Sequence, residues 1–185
     1  MVDRESEKAD ASLSLLVLRC QTGDERAFRR LLDQFGEKTL RYLRGLVGED
    51  AEDVQQEVWL AVFNGLHRLA NPGAFRTWLF RTARHRAIDH LRARKREREL
   101  IETTLVNDAA AASDDPPNVS VDPSVVDAAI ARLPPLQREA VLLRYRDELS
   151  YEEIATVVGC PVGTVRTRLH YAKQRLQQLI DSEER

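Results

Sequence analysis

The 185-residue chain is poor in the features that mark several protein classes. Its only two cysteines, Cys20 and Cys160, are too few and too far apart for a disulfide framework, so both are expected as reduced thiols. No apolar run approaches the roughly 18 residues that a membrane span requires. The opening MVDRESEKADA is charged and has no apolar stretch of the kind a secretory leader carries. The expectation is a cytoplasmic protein without membrane insertion. Gly-rich phosphate loops, a nucleophile elbow and an HExxH pair are all missing. His85, Asp89 and His90 do not form a compact coordination pattern, so no metal or other cofactor is expected. With no convergent catalytic set in view, an enzyme is the weakest reading.

A dominant charge is missing too: 28 basic side chains face 30 acidic ones, for a net charge of -2. The distribution is uneven. Between Arg81 and Arg98 there are eight Arg or Lys against Asp89 and Glu97, whereas Ile101–Asp127 holds six acidic residues and no basic one. From Ala128 to Ile180 basic residues again lead, eight to five. Two basic segments separated by an acidic one make an electrostatic footprint for nucleic acid that the total conceals.

What is present is helical patterning. Hydrophobic residues make up 43% of the chain, enough for a packed core. Ala27, Phe28, Leu31, Leu32 and Phe35 recur at helical spacing, and Leu40 and Leu43 continue the stripe past Gly36. Gly45 and Gly48 are read as its end. Val54, Val58, Ala61, Val62 and Leu66 give the next helix its apolar side, with Leu60 on the flank. Asn71-Pro72-Gly73 breaks the pattern, and a long arginine-rich helix follows from about Phe75. Pro116-Pro117 and Pro123, amid acidic residues, read as a linker. The chain is therefore read as all-α. A polar tail spans 1–11, a first helical domain 12–98, a linker 99–124 and a second helical domain 125–181.

The second domain has the sharpest local signal. Ser150-Tyr-Glu-Glu153 is a capping box that opens a short helix carrying Ile154, Ala155 and Val158. The preceding helix is expected over Leu136–Tyr145, burying Leu136, Ala140 and Leu143. Gly159-Cys160-Pro161 makes a turn, with Pro161 suited to a helix start. In the last helix Val165, Leu169, Ala172, Leu176 and Leu179 fall in one wedge and must face the core. Gly163, Thr167 and His170 lie opposite, Tyr171 sits beside them, and Arg166 and Lys173 flank that face. A capped helix, a glycine turn and a second helix with a polar outer face form a helix-turn-helix pattern.

Three longer motifs resemble one family, the extracytoplasmic-function (ECF) group of bacterial sigma-70 factors. Asp50-Ala-Glu-Asp-Val-Gln-Gln-Glu57 resembles a segment of its region 2. Phe75-Arg-Thr-Trp-Leu-Phe-Arg-Thr-Ala83, followed by Ala87-Ile-Asp-His-Leu-Arg92, resembles the region 2 helix after it. Leu133-Pro-Pro-Leu-Gln-Arg-Glu139, Ser150–Ala155 and Gly163-Thr-Val-Arg-Thr-Arg-Leu169 resemble region 4. The likeness spans about 12–96 and 128–180.

The resemblance implies an alternative sigma factor that directs core RNA polymerase to promoters and nucleates their melting. It places Asp50, Asp53, Gln56 and Glu57 against the clamp helices of the largest polymerase subunit, and region 4 near the flap of the second largest. It assigns Asn71, Arg76, Arg81, Arg84, His85 and Arg92 to the −10 element. Gly163, Thr164, Arg166, Thr167, His170, Tyr171 and Lys173 fall to the −35 element. An anti-sigma factor and a role in stress response belong to the same implication. Two departures bear on promoter preference: the family commonly has Asn at the position of His85, and many members have Arg or another long residue near Tyr171. A stand-alone helix-turn-helix regulator and a helical adaptor that binds no DNA are the rival readings.

Overall fold

The computed structural model describes residues 2–104 and 125–183, with side chains described for 10–99 and 126–179. Among the described residues every regular element is helical. The first domain holds α1 (Val2–Gln21), α2 (Glu25–Val47), α3 (Ala51–Gly65) and α4 (Phe75–Thr104). The second holds α5 (Val125–Ala131), α6 (Pro135–Val141), α7 (Tyr151–Val158) and α8 (Val162–Glu183).

Local chemistry sets the boundaries. The Asp24 carboxylate caps α2 by accepting from the amides of Arg26 and Ala27, and the Arg19 guanidinium holds its pKa below the usual carboxylate range. Helix α2 ends at Gly48, whose φ of 65° suits glycine. Gly45 does not end the helix as the sequence suggested; it lies inside α2. The Ser150 capping box is present in both directions, at 3.1 Å from the Glu153 amide to Ser150 Oγ and 2.8 Å from the Ser150 amide to Glu153 Oε2. Helix α7 stops at Gly159 with φ 69° and ψ 41°, the left-handed conformation.

Three further boundaries differ from expectation. The tail predicted over 1–11 is helical from Val2, because Glu, Lys, Arg and Ala propagate a helix with no Gly or Pro to stop it. The domain end placed at 98 is overrun for the same reason, since α4 continues to Thr104. Most of the expected linker, residues 105–124, lies outside the described residues. The helix expected over Leu136–Tyr145 divides into α6 and a π-helical turn, Leu142–Arg146. Leu136 is 51% exposed instead of buried, while Ala140 and Leu143 are buried as expected and Leu142 joins them.

The core runs through both domains. Phe35 meets Phe75 and Tyr42 meets Phe80 edge to face, at ring separations of 5.4 and 5.3 Å. Leu133, Leu143, Leu149, Ile154 and Val165 continue the same buried cluster. The domains touch where α7 packs on α4 and α6 packs on α2. Gly45 lies at this contact, where a methyl group would overlap Leu142 Cδ1 unless that side chain shifted. Arg138 is buried beneath the contact, donating to the carbonyls of Ala131, of Leu133 (3.1 Å) and, across the boundary, of Gly45 (3.3 Å).

Candidate nucleic-acid interface

The acidic start of α3 is the first candidate surface. Asp53, Gln56 and Glu57 are exposed and share one side of the helix. Asp50 is not with them. It precedes α3 and turns toward α4, where its Oδ2 accepts from His90 Nε2 (3.0 Å) and from Arg94. The hydrogen bond from His90, with the charge and hydrogen bond of Arg94, holds its carboxyl below the ordinary range. Two residues that sequence reasoning did not choose complete the exposed side: Leu60 is 64% and Phe63 63% exposed. Phe63 is braced edge to face by Phe28 at 5.3 Å, which in turn meets Trp59 at 6.1 Å. The available signal was Leu60 itself, an apolar residue off the core stripe.

The loop after α3 and the helix α4 make the second surface. The loop contains two short 3₁₀ turns, Leu66–Arg68 and Pro72–Ala74. Asn71 is exposed and its side-chain oxygen accepts from the Gly73 amide at 3.0 Å. The basic candidates on α4 divide into two sets. Arg81, His85 and Arg92 are four and then seven residues apart, so they stack on one open side, and all three are exposed. Arg76 and Arg84 are partly buried elsewhere on the helix. Arg76 lies 4.0 Å from Asp10 of α1. Arg84 Nε donates to Glu139 Oε1 at 2.8 Å, and the same oxygen accepts from the Tyr42 hydroxyl at 2.9 Å. Burial, with the Glu139 charge beside it, pushes the Tyr42 hydroxyl well above its ordinary pKa. Thr77 Oγ1 lies 3.3 Å from Glu153 Oε1, so the capping glutamate of α7 also touches α4.

Helix α8 makes the third surface. Val165, Leu169 and Ala172 are buried and Leu176 partly so, which points the opposite side outward. Gly163, Arg166, Thr167, His170, Tyr171 and Lys173 are exposed, and Thr164 is half-buried. The Thr167 hydroxyl is spent within the helix, donating to Gly163 O at 3.0 Å. His170 and Tyr171 stand 5.6 Å apart, edge to face. Tyr151 at the start of α7 was not singled out from the sequence. Its ring carries the Arg144 guanidinium at 5.1 Å and that of Arg166 at 5.9 Å. The signal was indirect, an aromatic one position after the helix cap.

Among the described residues no cluster of His, Cys, Asp or Glu could hold a metal ion, and no helix is long and apolar enough to cross a membrane. Cys20 and Cys160 are both free and partly buried.

Residues 31–97 match the Sigma-70 region 2 family and residues 124–176 the Sigma-70, region 4 family. RNA polymerase sigma-H factor of Pseudomonas aeruginosa is 34% identical over 177 residues, covering 89% of this chain and 92% of that protein. ECF RNA polymerase sigma-E factor of Escherichia coli is 33% identical over 177 residues, covering 90% and 93%. Among solved structures, the sigma factor RpoE in complex with the anti-sigma factor NepR from Bartonella quintana aligns with a TM-score of 0.64 and 26% identity, over 83% of this chain and 96% of that one. CnrH in complex with the cytosolic domain of CnrY shares the fold at a TM-score of 0.65 and 24% identity, over 92% and 97%.

Proposed function

The chain belongs to the ECF group of the sigma-70 family and acts as an alternative RNA polymerase sigma factor; from that premise we propose how its surfaces divide the work. Asp53, Gln56 and Glu57, together with the exposed Leu60 and Phe63, bind the clamp helices of core polymerase. Acidic side chains would steer the approach to a basic partner, and the two apolar ones would bury on contact. Asp50 serves instead to fasten α3 to α4 through His90 and Arg94. The loop around Asn71 and the open side of α4, with Arg81, His85 and Arg92, take the unstacked −10 strand. Stacking and phosphate neutralisation are the chemistry available there. Helix α8 enters the major groove at the −35 element, led by Arg166, His170 and Tyr171.

The observation that carries this reading is the pairing, in one chain, of an arginine-lined helix with a helix-turn-helix whose outer face is exposed. Arg84 is largely buried and its charge is taken up by Glu139, so full use of the −10 surface would call for the two domains to separate. Polymerase binding would favour the separated form by binding it better. The protein supplies specificity and leaves catalysis to the polymerase, in the cytoplasm. An anti-sigma factor of the kind bound to the solved relative would act by holding the inactive arrangement.

Run-off transcription from a library of promoters, with purified core polymerase and with or without this protein, tests the proposal. Start sites that appear only with the protein and share −35 and −10 elements are expected. Tight duplex binding without any new start site would instead support the stand-alone regulator.

A further inference from the structure

The loop that joins α3 to α4 is shaped from outside, by the last residue of α1. Gln21 Nε2 donates to Leu66 O at 2.9 Å and to Leu69 O at 2.8 Å. A primary amide nitrogen has two hydrogens, and both are used on carbonyls of the first 3₁₀ turn. Leu66 O also accepts from the Leu69 amide at 3.1 Å, so the turn is closed by its own backbone and then clamped by Gln21. Helix α1 reaches the far half of the loop as well. Ser14, whose hydroxyl donates to Asp10 O at 2.9 Å, lies 3.6 Å from the position a Cβ would take at Gly73. In this loop His67, Arg68, Ala70, Asn71 and Gly73 are exposed, and Ala70 and Asn71 lie between the clamped turn and the stretch that Ser14 approaches.

We propose that Gln21 is a positioning residue for −10 recognition: its amide fixes the 66–69 turn and thereby sets where Ala70 and Asn71 meet the unstacked strand. The inference rests on the reading of this loop as the −10 contact. Gln21 itself is only half-exposed and its donors are consumed internally, so it acts through the loop and not on DNA. The chemistry is specific to a donor of this reach. A carboxylate would face two carbonyl oxygens with no hydrogen to share, and a methionine would fill the space without donating.

The test uses the full chain assembled with core polymerase. Gln21→Met, Gln21→Lys and Asn71→Ala are compared with the parent on promoters that differ only at single −10 bases, with the −35 element constant. Affinity for core polymerase and thermal unfolding are measured alongside. Gln21→Met is expected to lower discrimination among −10 bases roughly tenfold, the scale of two net hydrogen bonds, with core affinity and −35 dependence unchanged. Gln21→Lys keeps donors for both carbonyls and is expected to retain most of the discrimination, which a merely space-filling role would not explain. If Gln21→Met preserves the −10 profile while Asn71→Ala alters it, the loop reads the strand but Gln21 does not position it. If Asn71→Ala and both Gln21 variants leave the profile intact, the reading of the loop itself fails. Equal loss in Gln21→Met and Gln21→Lys would overturn the donor argument.

Discussion

Helices α4 and α8 both carry a basic outer side, yet their side chains are committed very differently. On α8, His170 meets Tyr171 and Gln174, and Arg166 rests over Tyr151, contacts that all lie within the helix-turn-helix. On α4 most of the basic groups already have acidic partners. Arg76 faces Asp10, Arg84 faces Glu139, Arg92 faces Asp89, Arg94 faces Asp50 and Lys95 faces Glu99. Most of these pairs are exposed and are worth little individually. Arg84–Glu139 is the exception, with side-chain exposures of 20% and 5%. The outer face of α8, proposed to read duplex, is thus open as folded, whereas the α4 face proposed to take the strand is tied through Arg84 to the arrangement of the domains.

The largest effect should come from the ready surface. Arg166→Ala is expected to reduce transcription from a −35-dependent promoter by roughly 10- to 100-fold, the range of a lost base contact. A loss confined to one −35 position would identify a base reader. A uniform loss across sequences, with a shallower salt dependence, would assign Arg166 to phosphate instead. Arg81→Ala, on the open side of α4, should weaken every promoter similarly and by less.

The coupled surface is broken most cleanly at Gly45. Gly45→Leu replaces a mid-helix glycine with a good helix former, which taken alone favours α2 by roughly 1 kcal/mol. The new side chain needs the space that Leu142 occupies. The expected outcome is a first domain of undiminished thermal stability, a larger radius of gyration by small-angle scattering, and binding of single-stranded −10 DNA by the free protein tightened severalfold. An unchanged radius would mean that Leu142 simply moves aside and the contact survives.

A milder break is Glu139→Gln. The amide oxygen can still accept from Tyr42, but the charge that holds Arg84 is gone. Binding of −10 strand should improve by less than with Gly45→Leu. The Tyr42 hydroxyl should titrate closer to its ordinary range in an absorbance titration, since one of the causes of its upward shift is removed while burial remains.

The same contrast explains what the sequence could disclose. The second domain is built from signals a few residues apart: Ser150 with Glu153, Gly159 before Pro161, and the spacing of Val165, Leu169 and Ala172. The helix-turn-helix and the exposed face of its second helix were therefore legible together. The α4 surface depends on distant partners. Asp50 reads as one more acidic group on α3 until His90 and Arg94 arrive from forty residues away. Gly45 reads as a helix end because nothing local reveals that it is the hole for Leu142. Arg84 reads as a phosphate ligand because Glu139 stands on the other domain. Leu136 misled for a different reason: it lies in the first turn of α6, at the outer end of the stripe, and stays exposed although Ala140 and Leu143 are buried.

A pH dependence of the domain contact, set by Asp147, is expected as well. This residue is 4% exposed, and burial pushes its carboxyl up to about 7. The charges it feels belong mostly to the first domain, Lys38 and Arg41 of α2 and Arg76 of α4, with Arg146 from its own turn; all of them pull the other way, and burial wins. If separation of the domains returns Asp147 to water, its pKa falls to the usual carboxylate range, so closure takes up a proton. A group raised in the closed form contributes most below its open-form value and loses that contribution as pH rises toward 7. Acidification from pH 8 to 6 should therefore favour the closed form, by up to roughly tenfold if opening fully hydrates the carboxyl. Fluorescence transfer between labels on α3 and α8, followed across this range, reads the equilibrium directly, and Asp147→Asn should flatten the profile. A parent profile already flat would show that Asp147 stays buried within the second domain when the two separate. A profile rising the other way would mean that the cations of the first domain outweigh burial. In that case Asp147 would join Glu139 as a charged fastener, and domain separation would have to break two ion-pair contacts instead of one.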